Sequence, residues 1–275
     1  MTTFDDSPPA DFRGMLDLSG RGFLVLGSGA GIGRQTVHAL ASCGAKVACV
    51  DVDDERAGRV AQEVGGFALS GDITRRTDVE TIVATAAEQL GRIHGLVDIV
   101  GMARYASIAE LDDETFDWEI DICLRHAFLL GQIAGRHMVA NGGGSMVFVA
   151  SVSGLTGAPS HAAYGAAKAG LMAWVKSIAV EMGPAQVRAN AVAPGTTWTP
   201  RNEANLGEAG RRRNAANAPL GRVNLPADIA AAALFLSSDM ANCISGHTIV
   251  VDAGVSAKFP YPMPGDPDPV PMRLL

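Results

Sequence analysis

Residues 23–33 read Phe23-Leu24-Val25-Leu26-Gly27-Ser28-Gly29-Ala30-Gly31-Ile32-Gly33. Four apolar residues bounded by glycine suit a buried strand. Val37, Leu40 and Ala41 then recur at helical spacing after the last glycine. The stretch is strand, glycine turn, helix. Glycine permits positive φ and leaves the backbone bare enough for a pyrophosphate to approach. The N–H groups and partial positive charge of a helix N-terminus would hold that group. A second apolar run, Lys46-Val47-Ala48-Cys49-Val50, ends in Asp51, about eighteen residues past Gly33. A carboxylate there, with Val52 beside it, can accept hydrogen bonds from both adenosine ribose hydroxyls and would repel a 2′-phosphate. No Lys or Arg stands at Ser28, Gly29 or Ala30, so the pattern favours NAD over NADP. Glycines alone would specify only a tight turn; the strand, the helix and the acid at this distance turn it into a dinucleotide site.

The same alternation runs along the chain. Strand-like runs are Phe23–Leu26, Val47–Val50, Phe67–Ser70, Leu96–Val100, Ser145–Ala150, Val187–Val192 and Thr248–Val251. Helical patterns lie between them at Gly31–Cys43, Asp54–Val64, Thr77–Leu90, Asp112–Val139, Ala162–Met182 and Pro226–Leu236. Short apolar strands alternating with helices predict an α/β fold: a doubly wound, parallel, seven-stranded sheet with helices on both faces. The 275 residues suit one such domain, 1–275. Two segments break the pattern. Residues 196–220 are polar, Arg- and Asn-rich and weakly patterned, and read as a substrate-covering loop with short helices. The tail 259–275 carries prolines at 260, 262, 264, 267, 269 and 271 and can only be extended, either frayed or packed over a site.

Composition narrows the function classes. Apolar residues are 48 % and charged residues 19 %, which argues against disorder. A net charge of −7 offers no basic face for nucleic acid. The Arg211-Arg212-Arg213 run reads as a solvated face, or as a contact for a phosphate or a carrier protein. Cysteines at 43, 49, 123 and 243 have neither CxxC nor metal spacing and suit reduced thiols in a cytoplasmic protein. The N-terminus has no basic region and no apolar core, so it is not read as a signal peptide, and no apolar run approaches a membrane span.

Chemistry enters with Tyr164-Gly165-Ala166-Ala167-Lys168 and with Ser151 upstream. A Tyr and a Lys at i and i+4 share a helix face. A neighbouring ammonium favours the phenolate and pulls the phenol from about 10 toward the working range. A Ser hydroxyl nearby could hold the oxygen that the Tyr protonates or deprotonates. Alone, each residue could be a turn former, a helix aromatic or a solvated charge. Together with a dinucleotide fold they describe alcohol–carbonyl interconversion.

These motifs, in this order, resemble the short-chain dehydrogenase/reductase family of roughly 250 residues, over about Leu18 to Ala257. The family's glycine motif matches Gly27, Gly31 and Gly33, with Leu26 in place of its leading Thr. The resemblance implies cofactor contacts at Gly27, Ser28, Gly31, Ile32, Gly33, Asp51, Val52, Asp72, Ile73, Gly101, Tyr164, Lys168, Pro194, Gly195, Thr197 and Thr199, with Thr196 the alternative loop threonine. It implies a catalytic Ser151, Tyr164 and Lys168, and maps Asn190 and Val251-Asp252-Ala253-Gly254 onto later motifs. Two positions depart. Asp98-Ile99-Val100-Gly101 replaces Asn-Asn-Ala-Gly, so Asp98 loses donors and needs partners if buried. Cys123 stands where the family has a fourth catalytic residue, an Asn that helps hold a relay water between Lys and solvent.

Met102, Arg104, Ser153, His161 and Trp198, with Tyr105, Leu155 and Thr197, should line the substrate pocket. That mixture is largely apolar and aromatic and suits a hydrophobic secondary alcohol or ketone. A 3-oxoacyl thioester reductase is the nearest alternative enzyme, and a catalytically silent NAD-binding protein the alternative of another class. The resemblance also implies a homotetramer, or else a dimer, through the helices Asp112–Val139 and Ala162–Met182. No metal site is expected.

Overall fold

A computed structural model describes residues 9–258; the proline-rich tail lies outside the described residues. Seven strands are joined in parallel in the order β3-β2-β1-β4-β5-β6-β7. They are β1 (Gly22–Leu26), β2 (Lys46–Asp51), β3 (Phe67–Ser70), β4 (Gly95–Asp98), β5 (Gly144–Val149), β6 (Val187–Pro194) and β7 (Thr248–Val251). The helices are α1 (Ile32–Ser42), α2 (Asp54–Val64), α3 (Arg76–Leu90), α4 (Asp113–Ile120), α5 (His126–Ala140), α6 (Ala162–Met182), α7 (Pro200–Asn217) and α8 (Pro226–Ser237).

Every residue of β1 is buried, and its side chains alternate between two cores. Leu24 and Leu26 join α3, α5 and α6 through Ile82, Leu130 and Leu171. Phe23 and Val25 join α1, α2 and α8 through Leu40, Val60 and Ile229. A strand covered on both faces must be apolar at every position, which is why its sequence is a run rather than an alternation. β1 pairs with β2 on one side and with β4 on the other, Leu26 lying opposite both Val50 and Asp98. The chain reverses its direction of winding between β1 and β4. The carboxyl ends of those strands therefore open a crevice, where sheets of this kind take ligands.

Three departures from the sequence reading bear on that crevice. β4 ends at Asp98, not Val100, because the Asp98 carboxylate takes the Val100 N–H (3.1 Å) and pulls the chain out of the ladder. The helix expected over Asp112–Val139 is interrupted: α4 and α5 flank a π-helical turn at Asp121–Arg125. A π turn inserts one extra residue and rotates the helix beyond it, and no residue type announces it. The short helices expected within 196–220 take up most of the segment as α7, capped by Thr199 and kinked at Gly207, where φ is 58°, so less of it is loop than expected.

Candidate active site

The glycine turn presents backbone. Gly27 and Gly31 have φ of 79° and 57°. At Gly33 a Cβ would lie 1.9 Å from the Gly27 carbonyl oxygen, so only glycine lets α1 pack this close to β1. Ser28 is buried and its hydroxyl donates to the Val50 carbonyl (3.1 Å), bracing the turn from below. α1 starts at Ile32 with no side-chain cap, so its first N–H groups stay available. Asp51 accepts the N–H of Gly29 (2.9 Å) and of Asp53 (3.1 Å), which anchors a carboxylate beside the turn. The neighbouring Arg56 is bound to Asp53 (2.8 Å). Val52 is 75 % exposed, Ile73 is in the core, and the Asp72 carboxylate is held by Thr74 (2.7 Å). The Thr199 methyl lies against the open face of Gly31. Thr197 is buried and donates to the Gly195 carbonyl, just beyond Pro194 at the end of β6. A bare turn, an uncapped helix start and an anchored acid on the adjacent strand fit a dinucleotide. Asn190 instead ties β6 to the approach to β7, donating to Ile244 and accepting from His247.

Ser151, Tyr164 and Lys168 converge on the other side of the crevice. Ser151 follows β5, and its hydroxyl accepts the Ser153 N–H (3.1 Å). Gly154 sits on α6 so closely that a side chain there would meet the backbone of Lys168 and Ala169. That contact brings the Ser151 turn onto the Tyr164 face of the helix. Burial pushes the Tyr164 phenol well above its usual range, the Cys123 thiol adds to this, and the Ser151 hydroxyl pulls it back. The expected lowering by Lys168 is not the governing effect. The lysine ammonium lies 5.9 Å from the Tyr164 ring and donates to the carbonyls of Val149 (2.8 Å) and Val100 (3.4 Å). Desolvation therefore wins over charge.

Cys123 occupies the π turn, fully buried, with its thiol donating to the Met102 carbonyl (3.3 Å). Burial pushes that thiol up. Gly101 backs onto this group: a Cβ there would be 2.6 Å from Lys168 Nζ and 3.7 Å from Cys123 Sγ. The sequence reading missed two ionisable residues here. Glu119 is buried and accepts the Arg104 N–H, and its charge raises both Tyr164 and Cys123. His126 is the partner that Asp98 required: Nε2 and Oδ2 are 2.7 Å apart, both side chains buried. Each sits in phase with the buried stripe Cys123, Ala127, Leu130, so a charged residue at a core phase was the available signal.

On the substrate side, His161 packs edge-on against Tyr105 (4.8 Å between centroids) and Tyr164 (6.0 Å). Its Nδ1 lies 2.9 Å from the Pro159 carbonyl, which makes that nitrogen the donor. Trp198 is partly exposed, with Arg211 stacked over it at 5.1 Å. Arg104 is exposed and lies 4.0 Å over Trp118 of α4, so only its backbone is committed to the crevice wall.

A family model described as enoyl-(acyl carrier protein) reductase matches residues 27–256. The 3-oxoacyl-(acyl-carrier-protein) reductase of Thermotoga maritima is 33 % identical over 243 residues, covering 86 % of this chain and 98 % of that protein. The D-threitol dehydrogenase of Mycolicibacterium smegmatis is 35 % identical over 258 residues, covering 90 % and 96 %. A 7α-hydroxysteroid dehydrogenase solved with NADH and 7-oxo glycochenodeoxycholic acid superposes with a TM-score of 0.85 at 28 % identity, covering 89 % and 98 %. The chain belongs to the short-chain dehydrogenase/reductase family. It is an oxidoreductase that acts on CH–OH groups with a nicotinamide cofactor. Among the described residues no helix is long and apolar enough to cross a membrane.

Proposed function

We propose that this member of the short-chain dehydrogenase/reductase family interconverts a hydrophobic secondary alcohol and its ketone with NAD, using Ser151, Tyr164 and Lys168. The observation that carries the reading is the meeting of the Ser151 turn with the Tyr164 face of α6 at the mouth of the crevice. Bound NAD supplies the hydride acceptor. Tyr164 takes the alcohol proton in oxidation and returns it in reduction, and Ser151 holds the oxygen. Lys168 contributes the positive charge that favours the phenolate and a donor for the nicotinamide ribose. Cys123 keeps its thiol on Met102, so either backbone carbonyls would hold the relay water in its place or proton exchange is slower in this protein.

Preference for NAD rests on Asp51, anchored beside Gly29, and on Arg56 being neutralised by Asp53. The edge-on Tyr105–His161 pair, with Leu155 49 % exposed, supports a hydrophobic substrate. The reductase named among the relatives supports a second reading, reduction of a 3-oxoacyl thioester. A turnover screen pairing NAD with secondary alcohols, and NADH and NADPH with a 3-oxoacyl thioester, separates the two. Turnover of the thioester alone, with NADPH, would overturn the first. The exposed Phe116, Phe128, Val139 and Val180 on α4, α5 and α6 support a homotetramer, with a dimer as runner-up. A monomer in sedimentation at micromolar concentration would contradict it. Four free cysteines support a reducing, cytoplasmic location.

A further inference from the structure

We propose that Asp98 and His126 act as one unit, a buried clamp that fixes the turn after β4 and through it the seat of Lys168; the role of Lys168 rests on the reading above. The two side chains are 1 % and 0 % exposed and come from separate elements. Asp98 closes β4, and His126 opens α5 directly after the π turn. Asp98 Oδ2 lies 2.7 Å from His126 Nε2, and Oδ1 takes the Val100 N–H (3.1 Å). The Val100 carbonyl in turn faces Lys168 Nζ (3.4 Å), with the Val149 carbonyl as second acceptor (2.8 Å). One line of contacts therefore runs from α5 through the end of β4 to the catalytic face of α6.

The pair is held by its 2.7 Å approach and by enclosure. The 2.7 Å contact lies off the direction a ring N–H would take, and neither His126 nitrogen has a directed hydrogen-bond partner among the described residues. A pair satisfied this incompletely adds little to stability, since apolar side chains of similar volume would fold as well. Its value is positional. Removing the imidazole leaves a buried carboxylate with one backbone donor, an arrangement the protein would escape by turning the carboxylate away from Val100 or by drawing a cation toward it. Among the described residues, the ionisable groups that act on one another beside Asp98 are Glu119 on α4, Cys123 on the π turn, Tyr105, and Lys168 and Tyr164 on α6. Lys168 is the only cation among them, so an unsheltered Asp98 competes for the ammonium that the carbonyls now hold.

A double-variant cycle tests the clamp, read as NADH affinity by fluorescence together with turnover. His126→Leu strips the partner and should weaken NADH about tenfold as Lys168 loses its seat. Asp98→Asn keeps an acceptor for the Val100 N–H but leaves no charge to shelter. The double variant Asp98→Asn/His126→Leu should therefore recover affinity to within about threefold of the unmodified protein. A pair that merely fills space predicts the reverse, with losses that add. A double variant no better than His126→Leu, or full affinity in His126→Leu itself, overturns the proposal. If His126→Leu does not fold, the double variant decides alone: recovered binding supports the clamp, and lost binding refutes it. Substantial turnover in Tyr164→Phe would instead remove the proton chemistry while leaving the affinity cycle readable.

Discussion

The side of the crevice built on β1 and β2 is made of backbone, whereas the side built on β4, β5 and α6 is made of side chains drawn from several segments. On the first side Gly33 brings a helix start against a strand end, and Ser28 and Asp51 spend their polar atoms bracing the turn. On the second side Ser151, Tyr164, Lys168, Cys123 and Glu119 arrive from four elements and together bear on the acidity of Tyr164 and Cys123. The difference teaches where a substitution should register. Changes on the backbone side should alter cofactor affinity and leave kcat standing. Changes to the groups that meet the substrate oxygen on the side-chain side should alter kcat and leave affinity standing, with Lys168 the exception because its proposed role includes the cofactor ribose.

Ser151→Ala gives the largest expected effect. On the proposed mechanism it removes the hydroxyl that would hold the substrate oxygen, and kcat should fall by about a hundredfold to a thousandfold with NADH affinity kept, as steady-state kinetics and fluorescence titration would read. Gly33→Ala is the mirror experiment. Its Cβ has no space beside the Gly27 carbonyl, so α1 must shift and NADH affinity should weaken by about a hundredfold, with kcat at saturation nearly unchanged. Equal loss of kcat in that variant would erase the distinction between the two sides. Asp51→Ala should narrow the preference for NAD over NADP by about tenfold, measured as the ratio of dissociation constants. Tighter NADP binding by the unmodified protein would sink that assignment. Cys123→Asn is the smallest: turnover should stay within about threefold, because among the described residues the thiol bonds only to Met102.

The same contrast explains what could be read from the sequence. The backbone side lies in one contiguous stretch plus one acid at a fixed distance, so strand, turn, helix and Asp51 were legible together. All seven strands and both flanking helix layers followed from apolar runs that a two-sided core demands. The side-chain side depends on contacts between distant segments. Spacing put Tyr164 and Lys168 on one helix, as α6 does, yet could not weigh burial against the lysine, and burial dominates the phenol. The π turn at Asp121–Arg125 has no composition of its own, so the long helix read as continuous. His126 and Glu119 read as ordinary helix residues until the fold buried them beside Asp98 and Arg104. Helix was expected within 196–220, but the extent of α7 was not legible because its polar, Asn-rich surface carries only one buried residue, Gly210.

Tyr164→Phe followed against pH tests the central claim most directly. Burial holds the phenol high, so alcohol oxidation, which needs the phenolate, should climb as pH rises through the alkaline range. In Tyr164→Phe kcat should fall by at least about a hundredfold, the alkaline climb should vanish, and NADH affinity should hold. A Tyr164→Phe protein that kept substantial turnover and the same pH profile would contradict the account and move the proton to another group, with His161 the first to examine.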